Sequence, residues 1–330
     1  MSELRKNKLT GEWVLYAENR QNRPYEFVKK MDYNTTEKKN CPFCRGNEHQ
    51  TTLPVFQDRK ENWSIRAFPN RFPAVAQKQE QTGEKEEFYE SKPAVGRHEV
   101  VVDTPYHDQT IDAFSLEHLK NVLLTLQKRF LSMLEEENIQ QVQIFKNAGA
   151  DAGMSIKHSH WQLIGLPTVS KRQQEYEKTA KQYYDQTHKC IVCDMIAWEQ
   201  QQKKRVCKQT EHFLAITPYA SRFSYEVWVL PKSHMPSFAQ AEQELFMELA
   251  GLLKELLCDI TALRKDISYN ICFMESGKQS CQQQMEAFHW MIQILPRIGG
   301  FAGFEFGTET YINSVSPETA AKWYQKREKQ

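Results

Sequence analysis

The sequence predicts an α+β fold built from two copies of one unit, each a mostly antiparallel sheet with helices packed on it. Two observations support this prediction. Potential metal-ligand motifs recur in the same order along the chain, and segments with helical and strand-like apolar spacing recur between them. The chain has 330 residues, enough for two domains that each bury a core. We therefore divide it into domains at 1–175 and 176–330.

Each half of the chain contains a Cys-x-x-Cys pair, a middle histidine, and a late histidine that is followed by a glutamine. The first half supplies Cys41, Cys44, His107, His158 and Gln162, and the second half supplies Cys190, Cys193, His234, His289 and Gln293. The glutamine follows the late histidine at the same spacing in both halves. Motifs that keep this order argue for duplication of one unit.

The segments between these motifs predict the elements of each unit. An amphipathic helix follows each middle histidine, at 115–137 and 240–260. An apolar, strand-like run comes next, at 142–145 and 269–273, and each late histidine lies on the following extended segment. The first half has a longer interval before its middle histidine, and we interpret the charged stretch at 76–94 as an inserted loop.

The cysteines and histidines indicate two structural zinc sites. Two thiolates and two imidazoles suit tetrahedral zinc, and two residues between the cysteines allow both sulfurs to face one ion. A Cys-x-x-Cys pair can instead be a redox pair, but a redox pair does not need the ordered histidines found here. We expect two zinc ions per chain, the first held by Cys41, Cys44, His107 and His158 and the second by Cys190, Cys193, His234 and His289.

The remaining cysteines lack metal-ligand spacing. The chain has eight cysteines and no secretion signal, which favours thiolate ligands over disulfides. We interpret the four cysteines outside the two pairs as buried or incidental thiols: Cys207, Cys258, Cys272 and Cys281.

The segment around the first late histidine reads His-Ser-His-Trp-Gln. On an extended chain, His158, His160 and Gln162 point to one face. One imidazole can bind a metal, the next can attack a phosphorus atom, and the amide can hold a phosphate oxygen. The second half has Met291 where the first has His160, and a thioether cannot act as a phosphoryl nucleophile at neutral pH. Chemistry is therefore predicted for the first half only.

Together these motifs resemble, over nearly the whole chain, the galactose-1-phosphate uridylyltransferase family of the histidine-triad superfamily, and similarly the plant ADP-glucose phosphorylases of the same fold. Members carry His-Pro-His-x-Gln or His-Ser-His-x-Gln. The resemblance implies two tandem histidine-triad-like domains, with a degenerate active site in the second. It also implies that His160 forms a covalent nucleotidyl-histidine and that Gln162 holds a phosphate oxygen.

The resemblance further implies substrate-binding residues at four places in the chain. They are Arg20 and Arg23 of an Arg-x-x-Arg-Pro element, Asn70 near the base, a phosphate loop with Asn147, Gly149, Gly153 and Ser155, and Glu305 in a segment around the hexose. Arginines can contact phosphate in a bidentate manner, and a glycine-containing loop can present backbone N–H groups to phosphate oxygens.

The function implied is a ping-pong transfer of UMP from a UDP-hexose to a hexose-1-phosphate, in galactose metabolism. We expect a backbone carbonyl in the turn at 147–149 to accept a hydrogen bond from the N–H of the ring nitrogen of His160 that does not attack phosphorus. One alternative is an ADP-glucose phosphorylase, in which inorganic phosphate accepts AMP. Another is a zinc-stabilised nucleotide-binding protein without turnover, which would be favoured if Trp161 blocked His160. Ser159 replaces the proline of the best-known uridylyltransferases.

Composition and charge indicate which binding partners and which cellular compartment to expect. The net charge of +1 implies no general attraction to nucleic acid or to anionic membranes. The sequence has no apolar run long enough to span a bilayer and no signal-peptide core at its start, so we expect a cytoplasmic protein. No redox or nicotinamide cofactor is implied. Family analogy suggests a homodimer.

Overall fold

The computed structural model describes residues 2–9, 11, 13–17, 38–77, 87–264, 266–283 and 285–327. The elements of the first half are β1 (Ser2–Lys6), β2 (Trp13–Ala17), β3 (Phe56–Gln57), β4 (Arg66–Pro69), β5 (Ser91–Pro93), β6 (Arg97–Val102), α1 (Leu116–Leu134), β7 (Gln141–Ala148) and β8 (His160–Leu166). Those of the second half are α2 (Lys171–Thr187), α3 (Ile191–Gln202), β9 (Val206–Gln209), β10 (Phe213–Ile216), β11 (Val227–Pro231), α4 (Phe246–Leu263), β12 (Tyr269–Met274), α5 (Lys278–Gln283), β13 (Met291–Pro296), α6 (Gly303–Thr308) and α7 (Pro317–Arg327).

A single ten-stranded sheet runs through both halves, in the order β3-β4-β6-β8-β7-β12-β13-β11-β10-β9. Every neighbouring pair in it is antiparallel. The halves join where β7 pairs with β12, and Asn147 lies opposite Asn270. The predicted fold of antiparallel sheet with packed helices is confirmed, and the two halves share one sheet.

Helices α1 and α4 cover one face of this sheet and bury the main core. Helix α1 starts after Ser115, whose side chain accepts a hydrogen bond from the His118 N–H, close to the predicted start. Helix α4 starts later than predicted, at Phe246. The residues before it form two short 3-10 turns instead, at 238–240 and 243–245. Phe238 is buried there and stacks on Phe246 with ring centroids 5.5 Å apart.

The opposite face carries a row of side chains that crosses the junction between the halves. Gln162 pairs with Phe145, Phe145 with Cys272, and Cys272 with Gln293. The two glutamines of the duplicated motif therefore lie at matching positions on one face. In the second half, α2 and α3 pack on this face through residues such as Tyr176.

The stretch interpreted as an inserted loop is partly a strand. Residues 91–93 form β5, which pairs with β1 in a separate three-stranded sheet. Residues 78–86 of that stretch lie outside the described part of the chain. Among the helices that the structure describes, none combines the length and the apolar character needed to cross a bilayer.

Candidate active site and metal clusters

The first Cys-Cys-His-His set converges just before the first residue of β8. Cys41 and Cys44 come from one tight turn, His107 from the loop after β6, and His158 from the residues just before β8. Their ligand atoms all lie within 4.8 Å of one another. The Cys44 sulfur is 3.4 Å from Nδ1 of His107 and 3.5 Å from Nδ1 of His158. The predicted residues of the first metal site are thus brought together.

This geometry fits a tetrahedral zinc ion. Zinc–sulfur and zinc–nitrogen bonds of about 2.3 and 2.0 Å at a tetrahedral angle place sulfur and nitrogen about 3.5 Å apart. The Cys41 sulfur lies 3.6 Å from Nδ1 of His158. Burial raises the pKa of the Cys41 thiol to about 12, so a thiolate there needs a cation beside it. His158 donates its other ring N–H to the Thr104 carbonyl at 2.7 Å, which orients the ring.

The second set has the same construction. Cys190 precedes α3 and Cys193 lies in its first turn, while His234 and His289 flank β11 and β13. The Cys193 sulfur is 3.4 Å from Nδ1 of His234 and 3.5 Å from Nδ1 of His289. His289 Nε2 lies 3.0 Å from the Pro231 carbonyl, the counterpart of the contact between His158 and Thr104. The duplication therefore extends to the orientation of the late histidine.

His160 is held as a neutral imidazole, and its Nε2 has no hydrogen-bond partner among the described residues. Its Nδ1 lies 2.8 Å from the carbonyl of His158, so Nδ1–H donates there and Nε2 keeps its lone pair. Burial lowers the pKa of His160 to about 4, although the hydrogen bond to His158 raises it. Phe43 packs against the ring, with centroids 5.1 Å apart. The expectation that a carbonyl at 147–149 plays this part is wrong, because the carbonyl of His158 accepts this hydrogen bond.

Gln162 is oriented by a residue that sequence reasoning missed. His98 on β6 accepts a hydrogen bond at Nδ1 from the Ala74 N–H, at 3.0 Å, so its proton is on Nε2. That nitrogen lies 3.0 Å from Oε1 of Gln162 and 3.1 Å from Nδ2 of Asn70. His98 therefore donates to the Gln162 carbonyl oxygen and leaves the amide N–H groups for an anion. No motif marked His98, because this contact depends on strand register.

The predicted phosphate loop joins β7 to the catalytic segment. Gly149 and Gly153 have φ of 84° and 78°. A Cβ on Gly149 would lie 2.2 Å from the Ser268 hydroxyl, so glycine is required there. Asn147 Oδ1 accepts a hydrogen bond from Asn270 at 2.9 Å. Ser155 lies at the exposed end of the loop. Residues of the second half therefore hold the loop that precedes His158.

Of the three other predicted substrate residues, the structure describes only Glu305. Arg20 and Arg23 lie outside the described residues. Glu305 is in α6. Its carboxylate accepts a hydrogen bond from the Ala302 N–H at 2.9 Å, within its own segment.

Trp161 does not cover His160. It is fully buried among the core residues beneath the sheet, and its ring lies 6.2 Å from that of Phe273. Alternation along β8 places His160 on the other face. The observation that would have favoured a blocked nucleophile is therefore absent.

The second half has an altered version of the site. Met291 stands where His160 does, and Gln293 accepts a hydrogen bond from Arg172 of α2 at 3.2 Å. A largely apolar cavity of about 250 Å³ remains between α2 and the sheet. The Gln293 side chain is therefore engaged by Arg172 of the same chain.

The chain is similar to known proteins over nearly its whole length. Residues 1–170 match the N-terminal domain of galactose-1-phosphate uridyl transferase, and residues 172–293 match its C-terminal domain. The chain is 33% identical to an ADP-glucose phosphorylase of Arabidopsis thaliana over 97% of this chain and 91% of that protein. It is 28% identical to a galactose-1-phosphate uridylyltransferase of Thermotoga maritima over 98% of this chain and 97% of that protein.

Two solved structures also superpose on nearly the whole chain. A crystal structure of an ADP-glucose phosphorylase from Arabidopsis thaliana with bound ADP-glucose superposes with a TM-score of 0.78 at 30% identity, covering 98% of this chain and 99% of that one. A uridylyltransferase structure superposes with a TM-score of 0.82 at 24% identity over 98% of both chains, which shows the shared fold.

Proposed function

Because the chain belongs to the galactose-1-phosphate uridylyltransferase family, we propose that it transfers a nucleoside monophosphate between phosphate-bearing groups through a covalent nucleotidyl-His160. The observation that carries this proposal is the His160 ring. Its Nδ1–H is bound to the His158 carbonyl and its Nε2 remains unprotonated, on the face that also presents Gln162.

The proposed reaction has two displacements at the α-phosphorus of a nucleoside-diphosphate hexose. Nε2 of His160 forms a bond to phosphorus while the bond to the bridging oxygen breaks, and hexose-1-phosphate leaves. The oxygen of a second phosphate group then attacks phosphorus, the bond to nitrogen breaks, and the imidazole is regenerated. The Gln162 amide and the loop at 147–155 would stabilise the charge on the non-bridging oxygens. Two in-line displacements retain configuration at phosphorus.

We propose that zinc occupies both Cys-Cys-His-His clusters. Each donor set supplies four ligands and leaves no position for a reacting water, so a bound ion would act as a structural crosslink. His158 and His160 are separated by one residue, and a fixed His158 would help to place the carbonyl that accepts from His160.

For the substrate, we propose a nucleoside-diphosphate hexose as donor and a sugar phosphate as acceptor, with UDP-hexose and hexose-1-phosphate as the first pair. A second candidate is ADP-glucose with inorganic phosphate as acceptor. It is favoured by the relative of 33% identity and by Ser159, which occupies the place of proline between the two histidines.

The test is a trapping experiment without acceptor. UDP-glucose and ADP-glucose, each labelled at the α-phosphorus, are incubated with the protein, and acid-labile label on the polypeptide is mapped by peptide analysis. We expect label on His160 from one donor and none in His160→Ala. Hexose-1-phosphates and phosphate are then offered separately to the labelled protein, and the acceptor that discharges it identifies the reaction. Tight nucleotide binding without label from either donor would contradict transfer and would support a binding protein.

A further inference from the structure

A buried ion pair lies beneath the catalytic segment, on the helix side of the sheet. The Lys146 ammonium is 2.8 Å from Oδ2 of Asp103, and their side chains are 3% and 0% exposed. Lys146 also donates to the Ser159 hydroxyl at 2.7 Å and to the His160 carbonyl at 3.1 Å. An ammonium has three donors, so all three are used, and two of them hold the residues around the nucleophile.

The second half provides an internal comparison. Phe145 pairs with Gln162 as Cys272 pairs with Gln293, so Lys146 corresponds to Phe273. Ser159 follows one late histidine as Trp290 follows the other. Phe273 and Trp290 stack there, with ring centroids 6.2 Å apart and planes within 6°. The half that keeps the metal-ligand set but lacks the nucleophile has an apolar contact at this place.

Burial of this ion pair is unfavourable by itself. Two charges lose their hydration, and an apolar pair of similar volume is often neutral or stabilising in such a position. Among the described residues, the second carboxylate oxygen of Asp103 is buried without a hydrogen-bond partner. The stacked pair of Phe273 and Trp290 shows that the fold can fill the position without charges. Stability therefore does not explain why the ion pair is found on the His160 side.

The backbone near His160 needs a restraint. The carbonyl of His158 must face Nδ1 of His160 for Nε2 to remain the nucleophile. A proline between the histidines would limit φ at that residue, but Ser159 does not. The contacts from Lys146 to Ser159 and His160 supply a restraint from below, and Asp103 fixes the ammonium.

We propose that Lys146, anchored by Asp103, is a positioning residue for the nucleophile: it holds the Ser159 hydroxyl and the His160 carbonyl so that His160 presents Nε2 to phosphorus. This inference rests on the proposed function for its catalytic consequence. It concerns the rate of nucleotidyl-histidine formation and not the binding of the donor or of metal.

The test variant is Lys146→Met combined with Asp103→Asn, which removes both charges and avoids an unpaired buried carboxylate. We expect the single-turnover rate of nucleotidyl-His160 formation to fall about 10- to 100-fold, while the donor dissociation constant changes less than about threefold. Metal content should equal that of the unmodified protein. If the double variant does not fold, Ser159→Ala removes one contact of the ammonium and should lower the same rate about two- to fivefold.

The control removes another buried Lys–Asp pair, whose members also contact Glu255 and Arg327. Lys208 Nζ and Asp259 Oδ2 are 3.2 Å apart, with side chains 6% and 9% exposed, on the helix side of the second half. Lys208→Met combined with Asp259→Asn should leave the single-turnover rate unchanged even if it lowers the melting temperature. An equal fall in rate in both double variants would overturn the inference, because loss of any buried ion pair would then suffice.

The inference and the proposed function can fail separately. If the unmodified protein forms no adduct with either nucleotide sugar, the proposed function fails. The inference is then decided by ¹⁵N NMR of the His160 ring, which should show Nδ1–H in the unmodified protein and a mixture of tautomers in the double variant. If the unmodified protein forms the adduct, a double variant with an unchanged adduct rate overturns the inference. If it forms no adduct, a double variant that keeps the single Nδ1–H tautomer overturns the inference. A loss confined to donor affinity overturns it as well.

Discussion

At the scale of single residues, two histidines separated by one residue differ in which ring nitrogen is engaged. His158 turns Nδ1 toward the cysteine sulfurs and donates from Nε2 to Thr104. His160 donates from Nδ1 to the His158 carbonyl, so its Nε2 stays available. The same side-chain chemistry therefore gives a metal ligand at one position and a candidate nucleophile at the other.

His160→Ala should abolish the labelled adduct while metal content and melting temperature stay close to those of the unmodified protein, because His160 belongs to neither ligand set. His160→Gly with added imidazole should recover part of the transfer, since the missing nucleophile is then supplied from solution. Elemental analysis, thermal melting and acid-labile labelling measure the three quantities. Loss of a metal ion in His160→Ala would show that the roles of the two histidines are reversed.

At the scale of elements, strands and loops of one half hold the functional groups of the other. Asn270 on β12 donates to Asn147 Oδ1 and to the carbonyl of Ala152, both at 2.9 Å. The loop that leads from β7 to His158 is thereby fixed to the second half. The shared sheet is thus part of the site, in addition to its role in burying the core.

Gly149→Ala should disrupt this loop. A Cβ there meets Ser268 at 2.2 Å, and the backbone, with φ of 84°, is in a region that costs other residues about 1–3 kcal/mol. We expect a lower melting temperature and an adduct rate reduced about tenfold or more. Gly153→Ala is the control, because φ is 78° there but nothing lies within 4 Å of the added methyl group. Equal effects of the two substitutions would argue against the contact with Ser268.

The buried carboxyl of Glu275, just after β12, should make the stability of the protein depend on pH. Burial raises its pKa to about 8, although hydrogen bonds from Ser237 and the Phe238 N–H lower it. The folded state therefore binds a proton that the unfolded state releases above its ordinary pKa of 4.5. This contribution is complete below pH 4.5, falls as pH rises, and is lost above pH 8.

Glu275→Gln should remove that dependence. The melting temperature of the variant relative to the unmodified protein should rise between pH 5 and pH 8, as measured by thermal unfolding at constant ionic strength. A difference between the two proteins that does not change with pH would show that Glu275 is ionised in the folded state.

At the scale of the whole molecule, the two metal clusters have equivalent geometry but different neighbours. The first adjoins His160, whereas the second lies beside Met291 and the helices that cover it. Loss of either cluster should reduce stability, because metal binding contributes to folding. Only loss of the first should act directly on the proposed chemistry.

We therefore predict two zinc ions per chain by elemental analysis, and one in Cys41→Ser or Cys190→Ser. Cys41→Ser should lower the adduct rate strongly, since His158 would lose its fixed position beside His160. Cys190→Ser should lower the melting temperature more than the adduct rate. One ion per unmodified chain, unchanged in Cys190→Ser, would refute the second zinc site.

The sequence by itself determined the duplicated units, both Cys-Cys-His-His sets and His160 as the candidate nucleophile. Each of these features is marked by short motifs that recur in the same order, so ligand chemistry and apolar spacing can be read without knowing how the chain folds. Only the tertiary structure decided the carbonyl that orients His160, the contact of His98 with Gln162, and the ion pair of Lys146 with Asp103. The contacts of His98 with Gln162 and of Lys146 with Asp103 depend on the register between strands distant in sequence. The hydrogen bond between His160 and the His158 carbonyl depends on how the backbone turns into β8.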